Sequence, residues 1–596
     1  RGPAPGAGAP QGPQRPLGRI LNPDPSPYHT HTHTMPPKRG EEDEQKLQAL
    51  LLADSFTRTF RPVTLERPKV LCPLACVPML DYTIEFLAAA GVQELFIVCA
   101  NKAERVKQHV RRTQFPSSIS VECVTTHGGT AGDALREVDN MAIINSEPFI
   151  LISGDVISNM NLKKAIELHL INRKLDPECA MTKVLKEAGA NPSLRSPAHD
   201  LVITMDAETR RITHWQDDVE ADTVTLSPEL LAEQRGRDFE TRYDLLDCGI
   251  DICSYEVLGA FSDNWDYQNL RGDFCRTEVG NIELGKRIYA HVLPHNEYAA
   301  KVEDFRTYAH ITADVVKRCV HPFAPDNNFY GGVAFRSQRY NCYREDGTDV
   351  DRAAHVGEDT VLSRGVKIGP NSRVERCVLG RNCVIGENVH LTDCILWGDV
   401  TVEDGVSAEC SILCDRVVVH ANAIVPRGCV ISIGCVVDEG MALPPFARVT
   451  RRPHDSLHDD DDDTDDDDSG GDFDEDEQND EFDGGGDFGN RPPSPVASPL
   501  SAASNRTTFT DPTIVGDDGI GRLWSPNEED DDSDEDDDDE GEVSVFDALT
   551  RMGFDAMKRE SWGAHEVDEW LPRPHKEFPP GLDDPGGDPG AARSGG

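Results

Sequence analysis

The apolar positions follow two different periods, which change at about residue 336. In the first part, strand-like runs alternate with helical spacing. Leu47 to Ala53 is an apolar run, Met79 to Ala90 has helical spacing that stops at Gly91, and Leu95 to Ala100 is a second buried strand. Together they predict a βαβ unit. Val121 to Val124, the helix Asp133 to Asp139, the strand Phe149 to Ser153 and the helix Leu162 to Arg173 continue the alternation, so a doubly wound sheet with right-handed crossovers is expected. Extra strands are predicted at Leu201 to Met205, Ile212 to Trp215 and Leu245 to Ile252, with a closing helix at Thr312 to Cys319.

The second period is short. An aliphatic residue followed three positions later by Asn or Gly recurs at Ile368/Asn371, Ile385/Asn388, Val402/Gly405, Val419/Asn422 and Val437/Gly440, with steps of 17, 17, 17 and 18 residues. Val356, Leu362, Ile368 and Val374 also step by six, so three hexapeptides make one coil. Such a repeat predicts a left-handed parallel β-helix, with each aliphatic pointing inward and the Asn or Gly taking the corner.

Charge separates the ends from this core. From Arg451 onward the chain holds 45 acidic and 11 basic residues, including the blocks Asp459 to Asp463, Asp465 to Asp468 and Asp530 to Glu540. Like charges at that density oppose compaction. The chain should avoid phosphate backbones and anionic lipid, so direct nucleic-acid or membrane binding is not expected, while a basic protein partner is favoured. No apolar run has the length of a membrane span, and the opening lacks the core of a signal peptide, so a cytosolic location is expected. The first 34 residues are rich in Pro, Gly and Ala, with His29, His31 and His33 alternating with Thr, and Met35 has the look of a true start.

These readings give a disordered leader at 1–44, an α/β domain at 45–335, a linker at 336–354, a β-helix at 355–450 and an acidic disordered linker at 451–541. All 17 cysteines lie between Cys72 and Cys435 with no CxxC pair, so buried reduced thiols are expected, with neither disulfides nor a metal site.

The turn after the first strand, Asp54-Ser55-Phe56-Thr57-Arg58-Thr59-Phe60-Arg61-Pro62, contains no glycine, and Phe56 and Phe60 would obstruct a phosphate cradle. The stretch Thr64-Leu65-Glu66-Arg67-Pro68-Lys69-Val70-Leu71 with Val77-Pro78-Met79-Leu80 nevertheless resembles the signature of sugar-phosphate nucleotidyltransferases. That resemblance places Asp155, in Ile150-Leu151-Ile152-Ser153-Gly154-Asp155, where the family binds magnesium. It places Gly129 and Thr130, in Gly128-Gly129-Thr130-Ala131-Gly132-Asp133-Ala134, where the family holds the base. One carboxylate does not make a metal site. The expectation is a nucleotidyltransferase-like fold that has lost turnover, with Asp155, Gly129 and Thr130 as vestigial nucleotide or metal contacts and with no catalytic residue and no cofactor. The alternative is an active sugar-phosphate nucleotidyltransferase making, for example, GDP-mannose.

A more specific resemblance rests on Leu51-Leu52-Ala53-Asp54-Ser55-Phe56, Thr64-Leu65-Glu66-Arg67-Pro68, Asn264-Trp265-Asp266-Tyr267-Gln268 and Ala313-Asp314-Val315-Val316-Lys317-Arg318. Over about Gln45 to Val449 the chain resembles the epsilon subunit of eukaryotic translation initiation factor 2B, and the acidic linker is typical of that subunit. The resemblance implies guanine-nucleotide exchange on the GTP-binding initiation factor 2 within a multi-subunit complex, beside a gamma-like subunit. Exchange needs differential binding rather than acid–base chemistry. By the same resemblance Asn264, Trp265, Asp266 and Tyr267 face the GTPase, with Trp265 standing where the family has Phe. It further implies that 542–596, with Phe546, Trp562 and Trp570, is the remnant of a helical-repeat exchange domain, so that the chain would exchange poorly alone.

Overall fold

The computed structural model describes residues 46–452, apart from short stretches at 55–57, within 189–200 and 218–235, and at 282–284 and 328–333, together with 510–524 except 517. The expected leader at 1–44, Phe56, the acidic blocks and the region of 542–596 lie outside the described residues.

Strands β1 (Gln48–Leu52), β2 (Glu94–Cys99), β3 (Ser120–Thr125) and β4 (Phe149–Ser153) run parallel, joined by helices α1 (Met79–Ala90), α2 (Ala103–Arg112) and α3 (Ala131–Met141). Helix α1 stops where the sequence predicts, because Gly91 takes a φ of +94° and donates back to Leu87 and Ala88. After α4 (Leu162–Leu175), strands β5 (Cys179–Glu187), β6 (Leu245–Cys253) and β7 (Arg287–Val292) extend the sheet to the order β7-β5-β6-β4-β1-β2-β3. Strand β6 is antiparallel to both neighbours, so the doubly wound sheet is mixed. Helix α5 (Glu256–Asp263) follows β6. Helix α6 (Phe305–Val316) starts earlier than the expected Thr312, because the Asp304 carboxylate accepts from Thr307 N and the Thr307 hydroxyl accepts from Asp304 N.

Alternate residues of the strands enter two cores. Leu51, Ile97 and Ile152 pack with Leu80, Ile84, Tyr308 and Ile311 on one face, and Leu50, Val98 and Leu151 pack with Leu135, Val138 and Phe261 on the other.

The second domain is a β-helix of three parallel sheets, whose faces are represented by Val378–Leu379, Val384–Ile385 and His390–Thr392. The predicted inward residues Ile368, Ile385, Val402, Val419 and Val437 are all buried in one cluster, and the predicted corners Asn371, Asn388, Gly405, Asn422 and Gly440 all have positive φ. The prism begins earlier than His355. Tyr343 pairs with Val361 and Asp349 with Lys367, so residues read as a linker supply the first coil.

One face of the prism points outward yet is apolar. Val361, Val378, Ile395, Ile412 and Val430 join the α1/α6 core, so the two domains share one interior. Around that seam the Trp397 indole N–H donates to Tyr308 Oη at 3.0 Å, Arg67 pairs with Asp415, and the Tyr343 hydroxyl donates to Val316 O at 2.9 Å.

Regular structure does not stop at Arg452. Residues inside the expected acidic linker return to the last coil as a short helix, Pro512–Val515, and a strand, Arg522–Leu523, antiparallel to Arg448–Thr450. This corrects the sequence reading. A terminal coil exposes an unpaired edge and an apolar end, and Ile514, Val515 and Trp524 supply the apolar surface that covers it.

Candidate functional site

Helix α5 ends at Asn264, which turns extended and accepts from Asp266 N at 3.1 Å through its side-chain oxygen. The next residue, Trp265, is 72% exposed. Its loop is held from beneath by Arg136 of α3, which is buried. Arg136 Nε donates to Phe261 O at 2.9 Å, and its Nη2 donates to Trp265 O at 2.9 Å and Tyr267 O at 2.7 Å. The guanidinium carbon also lies 4.9 Å from the centre of the Trp265 ring. A charged fork that donates to the carbonyls of this loop and to Asp133 fixes the loop more firmly than apolar contact would.

Of the four residues expected to face a partner, the structure exposes Trp265 and Asp266, half-buries Asn264 and buries Tyr267. Tyr267 is 5% exposed and packs edge-on against Phe261 and Phe274, while its hydroxyl donates to Glu278 at 2.7 Å. Burial and the Glu278 carboxylate push its phenol up to about 12. Tyr267 is therefore an anchor of the loop rather than part of its outer surface, because its ring completes an aromatic cluster that a solvent-facing rotamer would leave open.

The segment with Gly129 and Thr130 lies directly against this loop. Thr130 caps α3, its hydroxyl oxygen accepting from Asp133 N at 3.1 Å, and Asp133 pairs with Arg136 at 2.7 Å. Gly132 N donates to Gln268 O at 2.8 Å, and a Cβ on Gly132 would sit 2.0 Å from Tyr267 O. The start of α3 is thus occupied by the backbone of Tyr267 and Gln268.

Asp155 stands apart, in the turn after β4. It is 2% exposed, its Oδ2 receives Lys69 Nζ at 2.8 Å, and Lys69 also donates to Val302 O at 2.6 Å. Burial opposes ionisation of Asp155, but the ammoniums of Lys69 and Lys301 outweigh it and hold the carboxyl below its usual range. Phe60 does not block the mouth of the turn. It is buried against Phe305 and Tyr308, with the Lys69 ammonium 5.1 Å from its ring centre. Lys69 was not singled out from sequence, since its partner lies far along the chain.

These residues do not fit magnesium. The only carboxylate of the expected set, Asp155, already holds an ammonium, and a second lysine, Lys301, adds to the positive charge around it. Among the described residues no three His, Cys, Asp or Glu side chains come together as a metal cluster. All 17 cysteines are free.

Fold and site together define a nucleotidyltransferase-like domain followed by a left-handed β-helix, with an exposed aromatic loop braced over what would be the base-holding segment. Residues 48–187 match the nucleotidyl transferase family, and residues 339–443 match the EIF2B subunit epsilon LbH domain. The chain is 39% identical over 324 residues to translation initiation factor eIF2B subunit epsilon of Dictyostelium discoideum, covering 54% of this chain and 45% of that protein. It is 37% identical over 345 residues to the same subunit of Schizosaccharomyces pombe, covering 56% and 50%. A more distant similarity, 33% over 125 residues, covers 21% of this chain and 35% of mannose-1-phosphate guanylyltransferase 1 of Arabidopsis thaliana. The chain spans about half the length of the epsilon subunits it matches.

Proposed function

We propose that this chain acts as an epsilon-like subunit of the initiation factor 2B complex in the cytosol, beside a gamma-like subunit, and promotes GDP/GTP exchange on initiation factor 2. The observation that supports this reading most directly is Trp265, a large aromatic held out in solvent by a buried arginine. Exposing such a ring gains nothing for folding, whereas an aromatic anchor is what an interface uses. Asn264 and Asp266 flank it and supply polar contacts to the same partner. Among the described residues no helix is long and apolar enough to cross a membrane. The chemistry required is differential affinity for the nucleotide-free GTPase, and no side chain has to transfer a proton.

The test is the affinity of initiation factor 2 for the assembled complex containing this chain, with and without Trp265→Ala. Loss of an interfacial aromatic anchor costs about 2 kcal/mol or more, roughly thirtyfold in affinity, with the melting temperature of the chain unchanged. Unchanged affinity would remove the loop from the interface. Synthesis of GDP-mannose, the alternative, is supported by the similarity to mannose-1-phosphate guanylyltransferases and opposed by the Lys69–Asp155 pair. Pyrophosphate release from GTP and mannose 1-phosphate would favour it.

A further inference from the structure

Within the C-terminal region, the segment Thr510 to Trp524 carries the apolar residues Ile514, Val515, Ile520, Leu523 and Trp524, and it is docked. It reaches both open edges of the last coil. Ile520 and Val436 exchange backbone bonds of 2.8 and 2.9 Å, Asp438 N donates to Val515 O at 2.8 Å, and Trp524 N donates to Arg448 O at 2.8 Å. Ile514 and Val515 complete the interior cluster of the β-helix, and Leu523 packs against it. The fit is close. A Cβ on Gly521 would lie 2.7 Å from Val449 Cγ1, and one on Gly516 would lie 2.3 Å from Asp438 Cβ. The segment is also closed on itself, with Asp511 N donating to Gly521 O at 2.9 Å.

The far end of the segment reaches the other domain. The Arg448 guanidinium carbon lies 5.0 Å from the Trp524 ring and 5.3 Å from the Phe305 ring at the start of α6, and Arg448 Nη1 donates to Arg61 O at 2.9 Å. Arg522 Nε donates to Arg452 O at 3.1 Å, so the chain returns to the place where it left.

We propose that Thr510–Trp524 is an intramolecular clasp, and that the end of the β-helix is a strand-addition site built for it. Main-chain bonds give the affinity, as in other strand-addition sites, and the pockets for Val515 and Trp524 give the specificity. Two consequences follow. The clasp covers an edge that would otherwise pair with a second copy. It also sets the point from which everything after Trp524 departs, at the seam between the β-helix and the α/β domain beside Arg61 and Phe305, instead of at the end of the intervening stretch 453–509. This assignment does not depend on the exchange reading.

The test uses the full chain carrying a specific protease site between residues 470 and 500, cut after purification and run on a sizing column. The two fragments are expected to travel together at the mass of one chain. Excess synthetic peptide of residues 508–526 should release the C-terminal fragment, whereas the same peptide with G521V and W524A should not. In the full chain, Gly521→Val with Trp524→Ala should release the fragment while the thermal unfolding of the remainder stays cooperative. Separation of the wild-type fragments on cutting, or failure of the wild-type peptide to displace, overturns the clasp. Elution at twice the mass, abolished by the double substitution, overturns its intramolecular character and assigns the site to a second copy.

Discussion

The two domains share a seam but solve the problem of an interior in opposite ways. The α/β domain buries charge: Lys183 sits between Asp247 and Asp251 at 3.3 and 3.0 Å, Lys69 meets Asp155, and Arg136 lies under the Trp265 loop. The β-helix interior is filled by aliphatic residues and thiols, such as Ile385, Leu396, Val402, Cys383 and Cys394. Its thiols act as weak donors, Cys383 Sγ to Trp397 O at 3.0 Å and Cys394 Sγ to Ala408 O at 3.4 Å. A repeating coil satisfies its own backbone and needs no polar side chain inside, so its stability is a sum of similar layers. In the α/β domain the buried ammonium groups and carboxylates neutralise one another in pairs.

The contrast can be broken most forcefully at Lys183. Against the cost of its burial, Asp247 and Asp251 keep its ammonium charged, while burial and the neighbouring Asp247 push Asp251 up to about 6. Lys183→Met removes the ammonium between two buried carboxylates, and breaking such a pair costs about 3–5 kcal/mol. Without the lysine the folded-state pKa of both carboxyls rises, so their contribution falls as pH rises. The deficit measured by denaturant unfolding should therefore be large at pH 7.5 and shrink toward pH 5. A deficit independent of pH would mean that lost packing, not charge, is responsible.

The matching change in the prism is Ile385→Ala, which removes an inward residue at one layer. A cavity of that kind costs about 2–5 kcal/mol. Here the loss should be the same at pH 5 and pH 7.5, because that interior cluster holds aliphatic residues and thiols such as Cys383 and Cys394, which burial pushes up and out of that range.

What sequence could reveal follows the same division. The β-helix was legible down to single corners, because its periodicity repeats the same physical requirement in every coil. In the α/β domain, β1, α1 and β4 were legible from apolar runs and Gly91. Helix α2 was missed because only Ala103 and Val106 of it are buried, which leaves no stripe. Strand β5 was missed because Lys183 and Lys186 interrupt the apolar pattern, although Lys183 is buried. The candidate loop was legible only in its outer residues. A short motif names Trp265 and Asp266, and the structure exposes both, but Arg136 and Lys69 act on partners more than eighty positions away, and linear spacing carries no signal for that. The clasp was hidden because its few apolar residues, between a Pro- and Ser-rich stretch and an acidic block, show no helix or strand period.

A smaller effect separates the domains by pH alone. Glu303 lies beside Arg271, and burial pushes its carboxyl up to about 7, against the pull of Arg271 and Lys301. A carboxyl raised in the folded state stabilises below its unfolded pKa and loses that contribution as pH rises through the folded value. Between about pH 4.5 and 7 the loss is on the order of 2–3 kcal/mol. Glu303→Gln should flatten that part of the stability profile relative to the wild type. An unaltered slope would mean that Glu303 is already ionised when folded at pH 5.

The smallest expected effect lies at a corner of the prism, where side chains touch little and only backbone conformation matters. Asn388 is exposed, has a φ of +54°, and its N–H donates to Pro370 O at 3.1 Å across to the preceding coil. An L-residue with an ordinary Cβ resists that conformation by roughly 1–2 kcal/mol, a cost that Asn tolerates better and Gly avoids. Asn388→Ala should therefore lose about 1 kcal/mol, whereas Asn388→Gly should stay within about 0.5 kcal/mol of the wild type, its strain relief offset by the entropy of a freer unfolded chain. Denaturant unfolding at one pH suffices to measure both. If Ala were as stable as Asn, the corner would owe its conformation to the stacked coils rather than to its residue. The five in-phase Asn and Gly positions would then be a mark of the repeat without being a cause of it.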